Sequence, residues 1–157
     1  MPASPLSLAV IGGGQLARMM QQAAIGLGVH IRLLAEGPDV SAAQVIPDHF
    51  VGDYTNIDDL RRAVEGSSVV TFDHEHVPPE HLRTLEAEGH IPRPGPGALI
   101  HAQDKITLRT ELDELGVPSP RWVVAASVDD VVAFGLPCVL KTPRGGYDGK
   151  GVWIVRS

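Results

Sequence analysis

The stretch LSLAVIGGGQLARMM, residues 6–20, sets the tightest limit on what this chain can fold into. A short apolar run breaks into three consecutive glycines. Apolar residues then recur at helical spacing at Leu16, Met19, Met20, Ala23 and Leu27. A strand too apolar to show either face to water, turning at once into a helix, is the repeating unit of a parallel sheet. Gly28 is placed to end that helix.

The unit recurs. HIRLLAE (30–36) predicts a second strand, followed by a polar stretch through residue 56. NIDDLRRAVEG then predicts a helix, with Asn56 as its cap and aspartates at its positive end. SVVTF (68–72) is a third strand, and PPEHLRTLEAEG returns as a helix closed by Gly89. This βαβαβα order predicts a parallel sheet with helices on both faces. RPGPG (93–97) is the densest Pro/Gly punctuation, so the boundary is expected there, with domains 1–97 and 98–157. In the second part, ALIHAQDKITLRTELDELG holds a helix with Leu108, Leu112 and Leu115 on one face, and RWVVAA reads as a strand. SVDDVVAFG is a short helix with Ser127 and Asp130 at capping-box spacing. CVLKT and VWIV flank a glycine loop as strands.

Composition narrows the function classes. With 43% hydrophobic and 20% charged residues over 157 positions, the composition is that of a chain with a packed core and argues against disorder. The net charge of −6 comes without any basic stripe, which argues against a nucleic-acid partner. The opening residues lack a basic leader, and no apolar run is long enough for a membrane helix. Cys138 has no second cysteine to pair with, so a cytoplasmic setting is expected.

Three segments carry chemistry. GGGQLA (12–17) satisfies the G-x-G-x-x-G/A form with Gly12, Gly14 and Ala17, and Glu36 stands where a ribose-binding acid would fall. An NAD(P) enzyme is one reading. A glycine turn at a helix N-terminus also offers N–H groups and a positive dipole to any anion, a substrate phosphate included, and a purely structural turn is the third reading. TFDHEHVP follows the third strand, at the sheet end where such folds bind ligands. Strand alternation puts Asp73 and Glu75 on one face and His74 and His76 on the other. The carboxylates could hold ribose hydroxyls or an amine, or take a proton. His74, His76 and His81 match no standard zinc spacing. Finally, VLKTPRGGYDGKGVWIV fits no Walker A register. A glycine hairpin folded over phosphates, with Lys141 on the adjoining strand and Lys150 in the loop, is the layout of kinases and ATP-grasp enzymes.

GGGQLAR, TFDHEHVP, HAQDK and VLKTPRGGYDGKG together resemble, in order, the 5-(carboxyamino)imidazole ribonucleotide synthases. This ATP-grasp family of purine biosynthesis has also been called the ATPase subunit of phosphoribosylaminoimidazole carboxylase. The likeness spans residues 8–156, with GYDGKG and TFDHEHVP its most specific pieces. It implies an α/β fold: a Rossmann-like, pre-ATP-grasp domain followed by the beginning of an ATP-grasp α+β domain. The implied activity is ATP-dependent carboxylation of aminoimidazole ribonucleotide with bicarbonate. By motif, Gly14, Gln15 and Leu16 would meet the substrate phosphate, with Asp73 supporting the substrate. Lys105, Lys141, Gly146, Tyr147, Asp148, Gly149, Lys150 and Gly151 would hold ATP. Glu75, Tyr147 and Lys150 would position bicarbonate and the substrate amine. Mg2+ (or Mn2+), a homodimer and a downstream mutase that takes the product are implied as well, with the metal ligands outside this chain.

The chain departs from the family's pattern at four positions. Asp73 stands where glutamate is common, His74 where an apolar residue is usual, Ala17 where glycine is frequent, and Val152 where glutamine is frequent. The expectation is an N-terminal portion of a longer enzyme, inactive by itself. Two alternatives share parts of the pattern: a sister ATP-grasp such as formate-dependent glycinamide ribonucleotide transformylase, and a non-catalytic module binding a nucleotide or phosphorylated metabolite.

Overall fold

The computed structural model describes residues 6–146 and 149–157. The chain divides into two compact units, Met1–Leu99 and Ile100–Ser157.

The first unit is built on β1 (Ser7–Ile11), whose Ala9, Val10 and Ile11 are fully buried. Parallel neighbours flank it on both sides, β2 (His30–Ala35) and β4 (Val69–Phe72). A short β3 (His49–Val51) extends β2, giving the order β3-β2-β1-β4. A strand enclosed in this way sees no water on either face, which is why LAVI carries no polar residue. Successive side chains point to opposite faces. Ala9 and Ile11 therefore pack with Leu60 and Val64 of α2 (Ile57–Val64) and Leu82 and Leu85 of α3 (Pro79–Ala87). Val10 packs with Ala17 and Ala24 of α1 (Gln15–Leu27) on the other side. The sheet is thus covered on both faces, the α/β layering that the alternating sequence implied.

Two details of the first unit differ from the sequence reading. The buried side of α1 is Ala17 and Ala24, while Leu16, Met19 and Leu27 are more than half exposed. Small residues win because the glycine turn draws this helix close to the sheet. β3 lay hidden in the polar stretch, since three residues at a sheet edge produce no readable alternation. Beyond α3, residues 91–93 run along the outer edge of β4: Arg93 N–H donates to Val70 O (2.7 Å) and Val70 N–H to Ile91 O (3.1 Å).

Helix α4 (Pro96–Gln103) begins inside the Pro/Gly seam, and the unit boundary falls within it. In the second unit, Asp104 separates α4 from α5 (Lys105–Glu114), so two helices stand where the Leu108/Leu112/Leu115 pattern marked one. Helix α6 (Val128–Phe134) carries the expected capping box between Ser127 and Asp130. β5 (Cys138–Lys141) and β6 (Val152–Val155) form an antiparallel pair in which Lys141 lies opposite Val152. RWVVAA is not a strand: among the described residues it has no ladder partner. Its start is held by side chains instead, Trp122 Nε1–H donating to Asp113 Oδ2 (2.8 Å) and Arg121 Nη2–H to Phe134 O (2.6 Å).

Candidate functional site

In the first unit the glycine turn joins β1 to α1, at the sheet edge where β1's two neighbours also end. Gly12 N–H continues the ladder to Leu34 O (2.9 Å). Its φ of +100° favours glycine, and a Cβ here would lie 2.8 Å from His74 Cδ2. Gly13 N–H donates to Glu36 Oε2 (2.9 Å). Gly14 is the N-cap of α1 and has no side chain to cap with. Asp73 replaces that missing cap from the end of β4, its Oδ2 accepting Gly14 N–H (2.7 Å) and its Oδ1 accepting Ala17 N–H (2.6 Å).

Gly12, Gly13, Gly14 and Ala17 are engaged, whereas Gln15 and Leu16 N–H have no hydrogen bond among the described residues. Two adjacent amides at the positive end of a thirteen-residue helix therefore remain for an anion. The Gln15 side chain is tied back, its Oε1 accepting from Ser41 Oγ (2.9 Å). Of the residues expected to meet a substrate, Gly14 and Asp73 are brought together with each other, and Gln15 and Leu16 supply the open amides.

Glu36 does not wait for a ribose. Its second oxygen lies 2.9 Å from His74 Nε2. That bond, together with the Gly13 N–H, holds its carboxyl below the ordinary range against the opposing effect of burial. His74 Nδ1 accepts His76 N–H (3.2 Å), so the ring's proton is on Nε2. Strand geometry does not carry the expected face pairing of Asp73 with Glu75, because β4 ends at Phe72 and the chain bends over 73–75. Glu75 is half-buried in that bend. His81 Nε2 lies 2.8 Å from Thr55 O. Among the described residues no group of three or more His, Cys, Asp or Glu side chains is placed to hold a metal ion.

In the second unit the glycine hairpin is tied to the start of α5. Lys105 N–H donates to Pro143 O (3.0 Å), and Lys105 Nζ lies 3.4 Å from Gly146 O. Asp104 Oδ1 caps α5 by accepting the N–H groups of Ile106 and Thr107, both at 3.0 Å, while Oδ2 takes Arg144 Nε–H (2.7 Å). These bonds hold the Asp104 carboxyl below its ordinary range, the Thr107 N–H most of all.

Thr142 closes the hairpin's neck through its N–H to Gly151 O (2.9 Å). Its hydroxyl fills the space a Cβ would need at Gly146 or Gly151, and Gly145, Gly149 and Gly151 have φ of +69°, +81° and +62°. Lys141 ends β5 and is exposed, as are Gly149 and Lys150 in the turn. Tyr147 and Asp148 lie outside the described residues. Sequence reading missed Asp104, Thr142 and Arg144. An aspartate directly before a helical run was the available signal for the first.

A two-sided parallel sheet with a glycine turn, joined to a helix-tethered glycine hairpin, defines a Rossmann-like pre-ATP-grasp unit followed by ATP-grasp sequence. The chain belongs to the ribonucleotide synthetase pre-ATP-grasp domain family, whose pattern matches residues 6–103; residues 110–157 match the ATP-grasp domain. It is similar to the N5-carboxyaminoimidazole ribonucleotide synthases of Corynebacterium ammoniagenes, 56% identical over 98% of this chain, and Mycobacterium leprae, 50% identical over 96%. It spans 38% and 37% of their lengths. Among solved structures, N5-carboxyaminoimidazole ribonucleotide synthetase from Thermotoga maritima superposes with a TM-score of 0.85 at 32% identity, over 97% of this chain and 41% of that one. The synthase from Aspergillus clavatus, in complex with ADP and 5-aminoimidazole ribonucleotide, gives 0.82 at 25% identity over 98% and 41%.

Proposed function

We propose that this chain supplies the substrate-phosphate turn and the nucleotide hairpin of an ATP-dependent carboxylation. Bicarbonate and 5-aminoimidazole ribonucleotide are the co-substrates, and 5-(carboxyamino)imidazole ribonucleotide, ADP and phosphate the products. The observation that carries the reading is the donor inventory of α1. Carboxylates occupy the Gly13 and Gly14 amides that a dinucleotide pyrophosphate would approach, and the Gln15 and Leu16 amides stay open. Two amides at one helix end suit a terminal phosphate monoester.

In this reading Gly14, Gln15 and Leu16 form the phosphate cradle, and Asp73 supports the substrate by fixing that cradle. Lys105, Lys141 and the loop from Gly146 to Gly151, Tyr147 and Asp148 included, hold ATP. Gly149, whose Cβ position is open space, lets phosphate oxygens approach the backbone, and the lysines balance charge on the transferring phosphoryl group. Bicarbonate takes that group and releases ADP. Carboxyphosphate then yields CO2 and phosphate, and the exocyclic amine attacks the CO2 carbon and loses a proton. Glu75, Tyr147 and Lys150 are assigned to orienting bicarbonate and the amine. Mg2+ would supply charge neutralisation to the transferring phosphoryl group when bound, and among the described residues no group of three or more His, Cys, Asp or Glu side chains is placed to hold it. A cytoplasmic homodimer feeding a mutase completes the proposal.

The test is a chimera in which residues 1–157 replace the matching segment of the Corynebacterium ammoniagenes relative. Aminoimidazole ribonucleotide- and bicarbonate-dependent ADP release is the expected result, lost on Lys150→Met. A chimera that melts cooperatively yet releases no ADP in response to substrate rules the proposal out.

A further inference from the structure

His74 and Glu36 form a pair that the proposed reaction leaves without a role. Glu36 follows β2, and His74 stands in the bend after β4, so their bond spans both strands flanking β1. Every polar atom of the pair is used. Glu36 Oε2 takes Gly13 N–H, Oε1 takes His74 Nε2–H, and His74 Nδ1 takes His76 N–H. The ring also lies against Gly12 and meets the Tyr54 ring edge-on, with centroids 4.6 Å apart. From the other side, Gly13 O accepts Ala42 N–H (2.8 Å). The peptide units around Gly13 are thus clamped from both sides, immediately before the two open amides of α1.

We infer that Glu36 and His74 are positioning residues that hold the glycine turn so that the Gln15 and Leu16 N–H groups face a ligand phosphate. The inference rests on the phosphate reading of the turn. It goes further by giving His74 a task, exerted through its bond to Glu36.

The donor pattern makes the pair intolerant of a specific change. An amide at position 36 offers one acceptor and one donor. If its oxygen faces Gly13 N–H, its NH2 opposes His74 Nε2–H. If it turns over, Gly13 N–H opposes the NH2. The other imidazole tautomer gives no relief, because Nδ1–H would oppose His76 N–H. Phenylalanine at 74 removes the conflicting donor and keeps a ring against Gly12.

The experiment titrates ribose 5-phosphate, and ribose as its phosphate-free control, into the 15N-labelled chain. Wild type, Glu36→Gln, His74→Phe and the double variant are followed by their amide resonances. In wild type, ribose 5-phosphate should move Gln15 and Leu16 while ribose does not. Glu36→Gln should weaken ribose 5-phosphate by about tenfold, the scale of one lost hydrogen bond, and shift Gly13 before ligand is added. The double variant should recover part of that loss, which a merely stabilising role for either residue would not produce. Unchanged affinity in the folded single variants, with wild type responding, overturns the inference and leaves the phosphate reading intact. No wild-type response overturns both. Should Glu36→Gln fail to fold, His74→Phe decides alone, with a several-fold loss expected and wild-type affinity overturning the inference.

Discussion

Asp73 Oδ2 accepts the N–H of Gly14 at 2.7 Å although 59 residues separate them. The same carboxylate reaches Ala17, so one side chain from the end of β4 does for α1 what an N-cap serine does in other helices. A Cβ on Gly14 would overlap Asp73 Oδ2. Asp73→Ala should therefore cost about 1–2 kcal/mol in urea unfolding. Gly14→Ala should cost much less in the Asp73→Ala background than in wild type, because the clash has then been removed.

Thr142 gives the hairpin an asymmetric sensitivity. Its hydroxyl occupies the space a Cβ at Gly151 would need, and Gly151 has φ of +62°. Among the described residues the same hydroxyl oxygen is buried without a hydrogen-bond partner. Thr142→Val should leave the melting temperature unchanged or slightly raised, since a methyl loses nothing that the hydroxyl was making. Gly151→Ala should lower it and weaken nucleotide binding, measured by calorimetry.

Acid should loosen the second unit at a defined place. The Asp104 carboxyl is depressed in the folded chain, so its contribution is full above the ordinary aspartate range and is lost as pH falls through the lowered folded value. As pH falls below about 5, the protection of the Ile106 and Thr107 amides, taken relative to their intrinsic exchange rates, should decline. Asp104→Ala should show that lower protection already near neutrality and flatten the pH dependence.

Helix α6 rests on its capping box, in which Ser127 Oγ accepts Asp130 N–H (3.2 Å) and Asp130 Oδ2 accepts Ser127 N–H (2.8 Å). None of the helix's residues is buried, so packing does little to secure it. Ser127→Ala should destabilise it by about 1 kcal/mol and lower helicity near 222 nm in circular dichroism.

The layered sheet and the start of α6 were legible because their signals are local. A fully apolar LAVI before glycines, Asn56 before aspartates, and Ser127 three residues from Asp130 each decide their own segment. What stayed hidden depends on partners distant in sequence. β3 exists through its ladder to Leu33–Ala35, and RWVVAA has strand-like composition without a ladder. The helical period in α1 pointed to Leu16 and Met19, yet close approach at the glycine turn selected Ala17. In the site, glycines and lysines announce themselves through composition. The engagement of Glu36 by His74, and of Arg144 by Asp104, is a matter of three-dimensional pairing that no spacing rule encodes.

The clamped glycine turn has a thermodynamic consequence. Its neighbouring amides are already bonded, and the two open ones belong to the first turn of a helix capped from outside. An arriving anion would therefore find its donors immobilised before it binds and would forfeit little conformational entropy on capture. Association at this end should proceed at the pace of diffusional encounter, with selectivity expressed in how long the ligand stays.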